Sequence, residues 1–136
     1  MLTTPQLDFA TYFANFSLAY GYLDVDSVIE FYALPFEVTF ENECNTWIER
    51  ASLHDTLTAL YAWMQQQGFH QPHYEIIEAQ RTDGTAYALL KWRIVNNDGQ
   101  RVSYFNRYQM QCIAGEWKIT GIIRTDDEAA LLVVPA

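Results

Sequence analysis

Apolar residues recur at three- and four-residue spacing near the start of the chain: Leu7, Phe9, Tyr12, Phe13, Phe16 and Tyr20. That period puts them on one face of a helix. Thr4 followed by Pro5 is a capping pair, and Gly21 is a stop, so the spacing predicts a helix over 5–21. Asp24 or Asp26 caps a second, short helix through Tyr32, with Val28, Ile29, Phe31 and Tyr32 apolar, and Pro35 stops it. Phe36, Val38 and Phe40 then alternate with Glu37, Thr39 and Glu41, the pattern of a half-buried strand. Trp47 and Ile48 fit a short strand. Ser52 with Asp55 resembles a capping box, and Leu53, Leu57, Leu60, Tyr61 and Met64 form the apolar stripe of a helix that ends at Gly68.

From His73 onward the period changes to two. Strands are predicted over 74–82, 85–96, 101–113 and 116–124. The turns between them are Asp83-Gly84, Asn97-Asp98-Gly99 and Ala114-Gly115. That is a four-stranded antiparallel meander. Residues 126–136 form an acidic turn and an apolar tail. Helices with an early strand, followed by a run of strands, give an α+β class.

Strand parity assigns the faces. Val102, Tyr104, Asn106, Tyr108, Met110 and Cys112 face the helices, as do Ala86, Ala88, Leu90, Trp92 and Ile94. On the last strand Trp117, Ile119, Gly121 and Ile123 are assigned inward, and Lys118, Thr120 and Arg124 outward. Gly121 leaves space above the sheet or marks a bend. Tyr87, Leu89, Phe105 and Ile122 fall on the outer parity although apolar. That patch predicts a partner surface, most simply a homodimer through the outer sheet face.

Composition narrows the function. The chain has 136 residues, half of them hydrophobic and 15% aromatic, enough for a single domain over 1–136 that folds without disulfides or metal. The formal net charge is −9, and Lys91 and Lys118 are the only lysines. Nucleic acid and an anionic membrane surface are therefore poor partners. No apolar run approaches the roughly 20 residues of a membrane span, and the N-terminus lacks a signal-type segment, so the expected location is cytoplasmic. In that reducing setting Cys44 and Cys112 are expected to be free thiols.

Three groups of residues could carry chemistry. Tyr104, Asn106 and Tyr108 occupy consecutive inward positions, where polar tips are costly unless hydrogen-bonded. Either they orient a ligand, with Trp92 and Trp117 as apolar walls, or they pair with one another and fill the core. His54, beside Asp55, is either a general base at a pocket rim or a solvated first-turn residue. His70-x-x-His73 has Pro72 between its rings and no third ligand, so it reads as a loop and no metal is expected. Glu37, Thr39, Glu41 and Glu43 form an acidic, solvated edge without the spacing of a cation loop.

The element order, with Leu23-Asp24-Val25-Asp26 before the short helix and Arg107-Tyr108 through Gly115-Glu116-Trp117-Lys118-Ile119 at the end, resembles the nuclear-transport-factor-two-like superfamily. The resemblance runs from about residue 8 to 125. It includes the SnoaL-like polyketide cyclases and the ketosteroid isomerases. It implies a cystatin-like α+β cone, in which a curved antiparallel sheet of about six strands wraps three helices and opens on a small-molecule pocket. Ketosteroid isomerases carry a base Asp on the first strand, where the inward match here is Phe40 while Glu41 points away. Their Tyr oxyanion donor matches Phe16, with Tyr12 and Tyr20 one turn either side. Their protonated Asp matches Asn106, which could donate to an oxyanion. Without the base, proton abstraction of that type has no agent. The His-Asp pair of SnoaL-type cyclases has no counterpart.

The leading expectation is thus a SnoaL-like domain binding a small, largely apolar molecule without a cofactor, with lyase or isomerase chemistry if it is an enzyme. The pocket candidates are Tyr20, His54, Trp92, Tyr104, Asn106, Tyr108 and Trp117. The rival expectation is a protein-interaction or dimerisation module whose cone is filled by Trp63, Trp92 and Trp117.

Overall fold

The structure is a computed structural model that describes residues 5–69 and 72–126. Thr4, His70 and the tail 127–136 lie outside the described residues, and so do the expectations placed on them.

Helix α1 spans Phe9–Gly21, not 5–21. The cap is Asp8, whose carboxylate accepts from the Thr11 amide at 3.2 Å and the Thr11 hydroxyl at 2.9 Å. An Asx cap satisfies an orphan donor that Pro5 leaves untouched. Helix α2 is Val25–Ile29, and Asp24 caps it by accepting from the amide and hydroxyl of Ser27. It ends well before Pro35. Strand β1 covers Tyr32–Phe40, and Pro35 sits inside it after a cis Leu34–Pro35 bond. Strand β2 is Glu43–Trp47, joined to β1 through Glu41 at φ 57°. Helix α3 runs Arg50–Gln66 with Glu49 at its N-cap and no side-chain cap bond. Ser52 therefore lies within the helix, where its carbonyl accepts from Thr56, and the predicted capping box does not form.

The meander follows as β3 (His73–Thr82), β4 (Thr85–Val95), β5 (Arg101–Ile113) and β6 (Glu116–Thr125). Asn96 builds the β4–β5 turn. Its Oδ1 accepts from the amides of Asp98 at 3.0 Å and Gln100 at 2.9 Å, an Asx arrangement. The six strands form one sheet in the order β2-β1-β6-β5-β4-β3. All pairs are antiparallel except β1 with β6, so the sheet is mixed, not purely antiparallel.

The core lies between the inner sheet face and the helices. Phe13, Val28, Ala88, Leu90, Trp92 and Ile119 are wholly buried there. Trp63 is half exposed and packs on Phe69 at 6.0 Å, so it does not fill the cone.

One irregularity in β6 changes the predicted faces. Met110 pairs with Ile119 and Gln109 with Gly121, so Thr120 is an extra residue. This is a β-bulge, and it bends the strand. Up to Ile119 the predicted parity holds. Beyond the bulge it reverses: Ile122 lies opposite Tyr108 and Arg124 opposite Asn106, both on the inner face. Ile123 joins Leu89 and Phe105 in a small cluster on the outer face. Leu89 and Phe105 are themselves buried within the single chain, at 4% and 7% exposure, so the predicted outer patch is mostly covered already. Both cysteines are free, Cys44 exposed and Cys112 half-buried. Among the described residues no helix is long and apolar enough to cross a membrane.

Candidate functional site

The bend in β6 leaves space between the sheet and helices α1 and α3. A cavity of about 220 Å³ opens there. Phe16 and Tyr20 of α1, Leu53, Leu57 and Tyr61 of α3, and Phe36 and Val38 of β1 form most of its apolar wall. These positions recur at helical spacing on α1 and α3 and at spacing two on β1, so one amphipathic pattern builds both core and cavity. Polar groups enter from β5 and β6: Tyr104, Asn106, Tyr108 and Arg124.

The hydrogen bonds in this floor form two chains. The hydroxyls of Tyr20 and Tyr104 lie 2.7 Å apart. The Tyr108 oxygen accepts from Trp92 Nε1 at 2.9 Å and from Asn106 Nδ2 at 3.0 Å. Burial pushes the Tyr104 phenol well above its ordinary range, and the nearby Tyr20 adds to that shift. Burial raises Tyr61 in the same way, with Tyr20 and Tyr108 adding to the shift; it raises Tyr108 and Tyr20 as well, where hydrogen bonds and Arg124 offset part of it. These phenols are neutral hydrogen-bonding groups near neutral pH.

Two atoms stand outside these chains. Asn106 Oδ1 and Arg124 Nε are both shut off from solvent and have no hydrogen-bond partner among the described residues. The Arg124 guanidinium lies 4.2 Å from the Tyr104 ring centre and 5.5 Å from that of Phe40. Those rings attract the cation through their faces but leave Nε without an acceptor. None of the ion pairs among the described residues involves Arg124.

The cavity brings together four of the seven sequence candidates, Tyr20, Tyr104, Asn106 and Tyr108. Trp92 stands behind the wall, wholly buried, and serves the site by donating to Tyr108. Trp117 lies elsewhere: its Nε1 donates to the Pro5 carbonyl at 3.0 Å, and Arg81 stacks on its ring. His54 is not in the lining. It sits on the surface of α3, 2.9 Å from the Asp26 carboxylate of α2. Tyr12 is also remote, donating to the carbonyls of Phe31 and Trp117. Phe40, the match to the isomerase base, is partly exposed beneath Arg124.

Sequence reasoning missed Arg124 and Ile122 because a bulge reverses parity without altering composition. Gly121 beside the bulge was the one available signal. Among the described residues no Asp, Glu or His lines the cavity. Among the described residues no group of three His, Cys, Asp or Glu side chains could hold a metal ion.

No protein-family model matches this chain. No curated protein matches it either. Solved structures do. It is similar to a nuclear-transport-factor-two-like protein of unknown function from Shewanella oneidensis, at 14% identity and a TM-score of 0.70, over 86% of this chain and 95% of that one. It is similar to a protein of unknown function with a cystatin-like fold from Nostoc punctiforme, at 16% identity and 0.68, over 94% and 97%. A ketosteroid isomerase-like protein from Erwinia carotovora atroseptica aligns at 16% identity and 0.63, over 93% and 94%. At these identities the likeness carries no activity with it. What it shows is that this chain has the cystatin-like α+β fold of the nuclear-transport-factor-two-like proteins.

Proposed function

We propose that the domain binds a small, largely apolar molecule in the cavity between α1, α3 and the inner sheet face. The observation that carries this reading is the cavity of about 220 Å³ walled by aromatic and aliphatic side chains with a few polar groups at one side. That composition is the one small-molecule sites share, and the volume, below the roughly 300–1,000 Å³ of sites for drug-sized ligands, suits a smaller molecule. Among the described residues the lining supplies neutral phenols, the Thr56 hydroxyl, an amide and a guanidinium, and neither a carboxylate nor an imidazole. Proton abstraction needs a base within reach of the substrate. The available groups favour binding and orientation over acid–base chemistry.

A thermal melt tests this. Octan-1-ol should raise the melting temperature of the wild type, because a ligand that binds only the folded state stabilises it. Ile122→Trp, which fills the cavity from β6, should keep the fold and lose that shift. A wild type unmoved by octan-1-ol and by octanoate at millimolar concentration overturns the reading.

A further inference from the structure

Arg124 carries a full charge into an apolar cavity with its Nε buried and unpaired. Leaving a buried cationic donor without an acceptor is costly. The rings of Tyr104 and Phe40 cannot serve as that acceptor, because they meet the guanidinium through their faces. Directly across the β5–β6 ladder stands Asn106, with its own unpaired buried amide atom. We propose that the ligand is an apolar monocarboxylic acid, bound through its carboxylate by Arg124 and Asn106. This rests on the cavity being a binding site.

The hydrogen-bond count supports a carboxylate in particular. As the side chains stand, Tyr108 accepts two bonds and has a proton still to give, while Asn106 Oδ1 still lacks a donor. Turning the Asn106 amide over resolves both. Tyr108 then donates to Oδ1, still accepts from Trp92, and Nδ2 takes the place of the buried, unpaired amide atom, on the residue across the ladder from Arg124. That leaves two donors, Arg124 Nε and Asn106 Nδ2, beside a positive charge that is in none of the ion pairs among the described residues. A carboxylate offers two acceptor oxygens in one plane and one negative charge, and it matches the guanidinium edge. An alcohol supplies no charge, and an amine would face the Arg124 cation. The aliphatic or aromatic body of the acid would lie on Phe16, Phe36, Leu57 and Ile122.

Calorimetric titration of the whole chain with octanoate and with octan-1-ol tests the assignment. A charge-assisted pair in this setting corresponds to about tenfold or more in affinity. Octanoate should therefore bind the wild type about tenfold more tightly than the alcohol. Arg124→Gln should erase that preference, bringing the octanoate and octan-1-ol affinities to within about twofold of each other. Arg124→Lys should recover part of it, and Asn106→Asp should weaken octanoate more than octan-1-ol. Equal binding of acid and alcohol by the wild type overturns the carboxylate assignment and leaves the cavity reading standing. Binding of neither overturns both. The wild-type comparison decides the matter even if an Arg124 variant fails to fold.

Discussion

Asn106 and Arg124 face each other across the β5–β6 ladder, and each holds one buried polar atom that nothing in the described chain satisfies. Two such atoms as cross-strand neighbours are an expensive way to build a core. They are an economical way to prepare a floor for a ligand.

The first prediction uses Asn106. Replacing it by Leu removes one unpaired buried amide atom, whichever way the amide is turned. Tyr108 keeps the hydrogen bond from Trp92 and loses only its bond to the amide. Asn106→Leu should therefore change stability by no more than about 1 kcal/mol, and the gain is expected to outweigh the loss. Octanoate binding should fall with it. Urea denaturation measures the first effect and titration the second. A loss of about 2 kcal/mol or more would make Asn106 a structural residue.

Tyr108 should behave in the opposite way, two positions along the same strand. Tyr108→Phe strands the indole N–H of the wholly buried Trp92 and the amide of Asn106 together. An abandoned buried donor costs about 1–3 kcal/mol, so this change should destabilise by at least that much. Tyr104→Phe removes only the bond to Tyr20 and should cost less. Equal denaturation midpoints for Tyr108→Phe and the wild type would contradict the account.

The meander was legible because its turns and its period agreed. Ala114 and Gly115 adopt the left-handed backbone such turns need, at φ 52° and 81°, and so does Asp83, at φ 50°, in the turn it forms with Gly84. The inward set from Ala88 to Trp92 and from Tyr104 to Met110 followed from parity alone. Parity fails where one residue is added, which is why Ile122, Ile123 and Arg124 were placed on the wrong faces. Pro35 misled for a related reason, because a proline inside β1 sits where the β1–β6 register also shifts, between Tyr32 and Glu37. His54 could be placed on a helix from its sequence, but only the packing of α2 on α3 pairs it with Asp26, away from the cavity.

Two glycines should respond differently to Ala. Gly68 closes α3 at φ +72°, and a Cβ there would lie 2.3 Å from Asn97 Nδ2 in the β4–β5 turn. The left-handed backbone alone costs a side chain about 1–2 kcal/mol. Gly68→Ala should show at least that loss, and adding Asn97→Ala should recover only the part due to the contact. Gly121 has an ordinary backbone angle, and its nearest obstacle is the flexible Gln109 Oε1 at 2.8 Å. Gly121→Ala should cost less than about 1 kcal/mol. A ranking in the reverse order by chemical denaturation would count against both readings.

The buried phenols predict alkaline sensitivity. Burial holds Tyr104 and Tyr61 well above the ordinary tyrosine value of about 10, and raises Tyr20 and Tyr108 in the same direction. A phenol that keeps its proton when folded and loses it when unfolded makes the unfolded state bind fewer protons. Stability then falls as pH rises. The contribution is complete below the unfolded value of about 10 and is lost progressively above it, towards the raised folded values. The fold should hold from neutral pH to that point and then unfold cooperatively. Tyrosinate absorbance from these four residues should appear together with the loss of the circular dichroism signal. The Tyr20–Tyr104 pair adds a check, because Tyr104→Phe removes one titrating group and should move the alkaline midpoint upward relative to the variant's own stability at neutral pH. Smooth ionisation of every tyrosine near pH 10, with the fold intact, would show that water reaches the cavity floor freely and would contradict its burial.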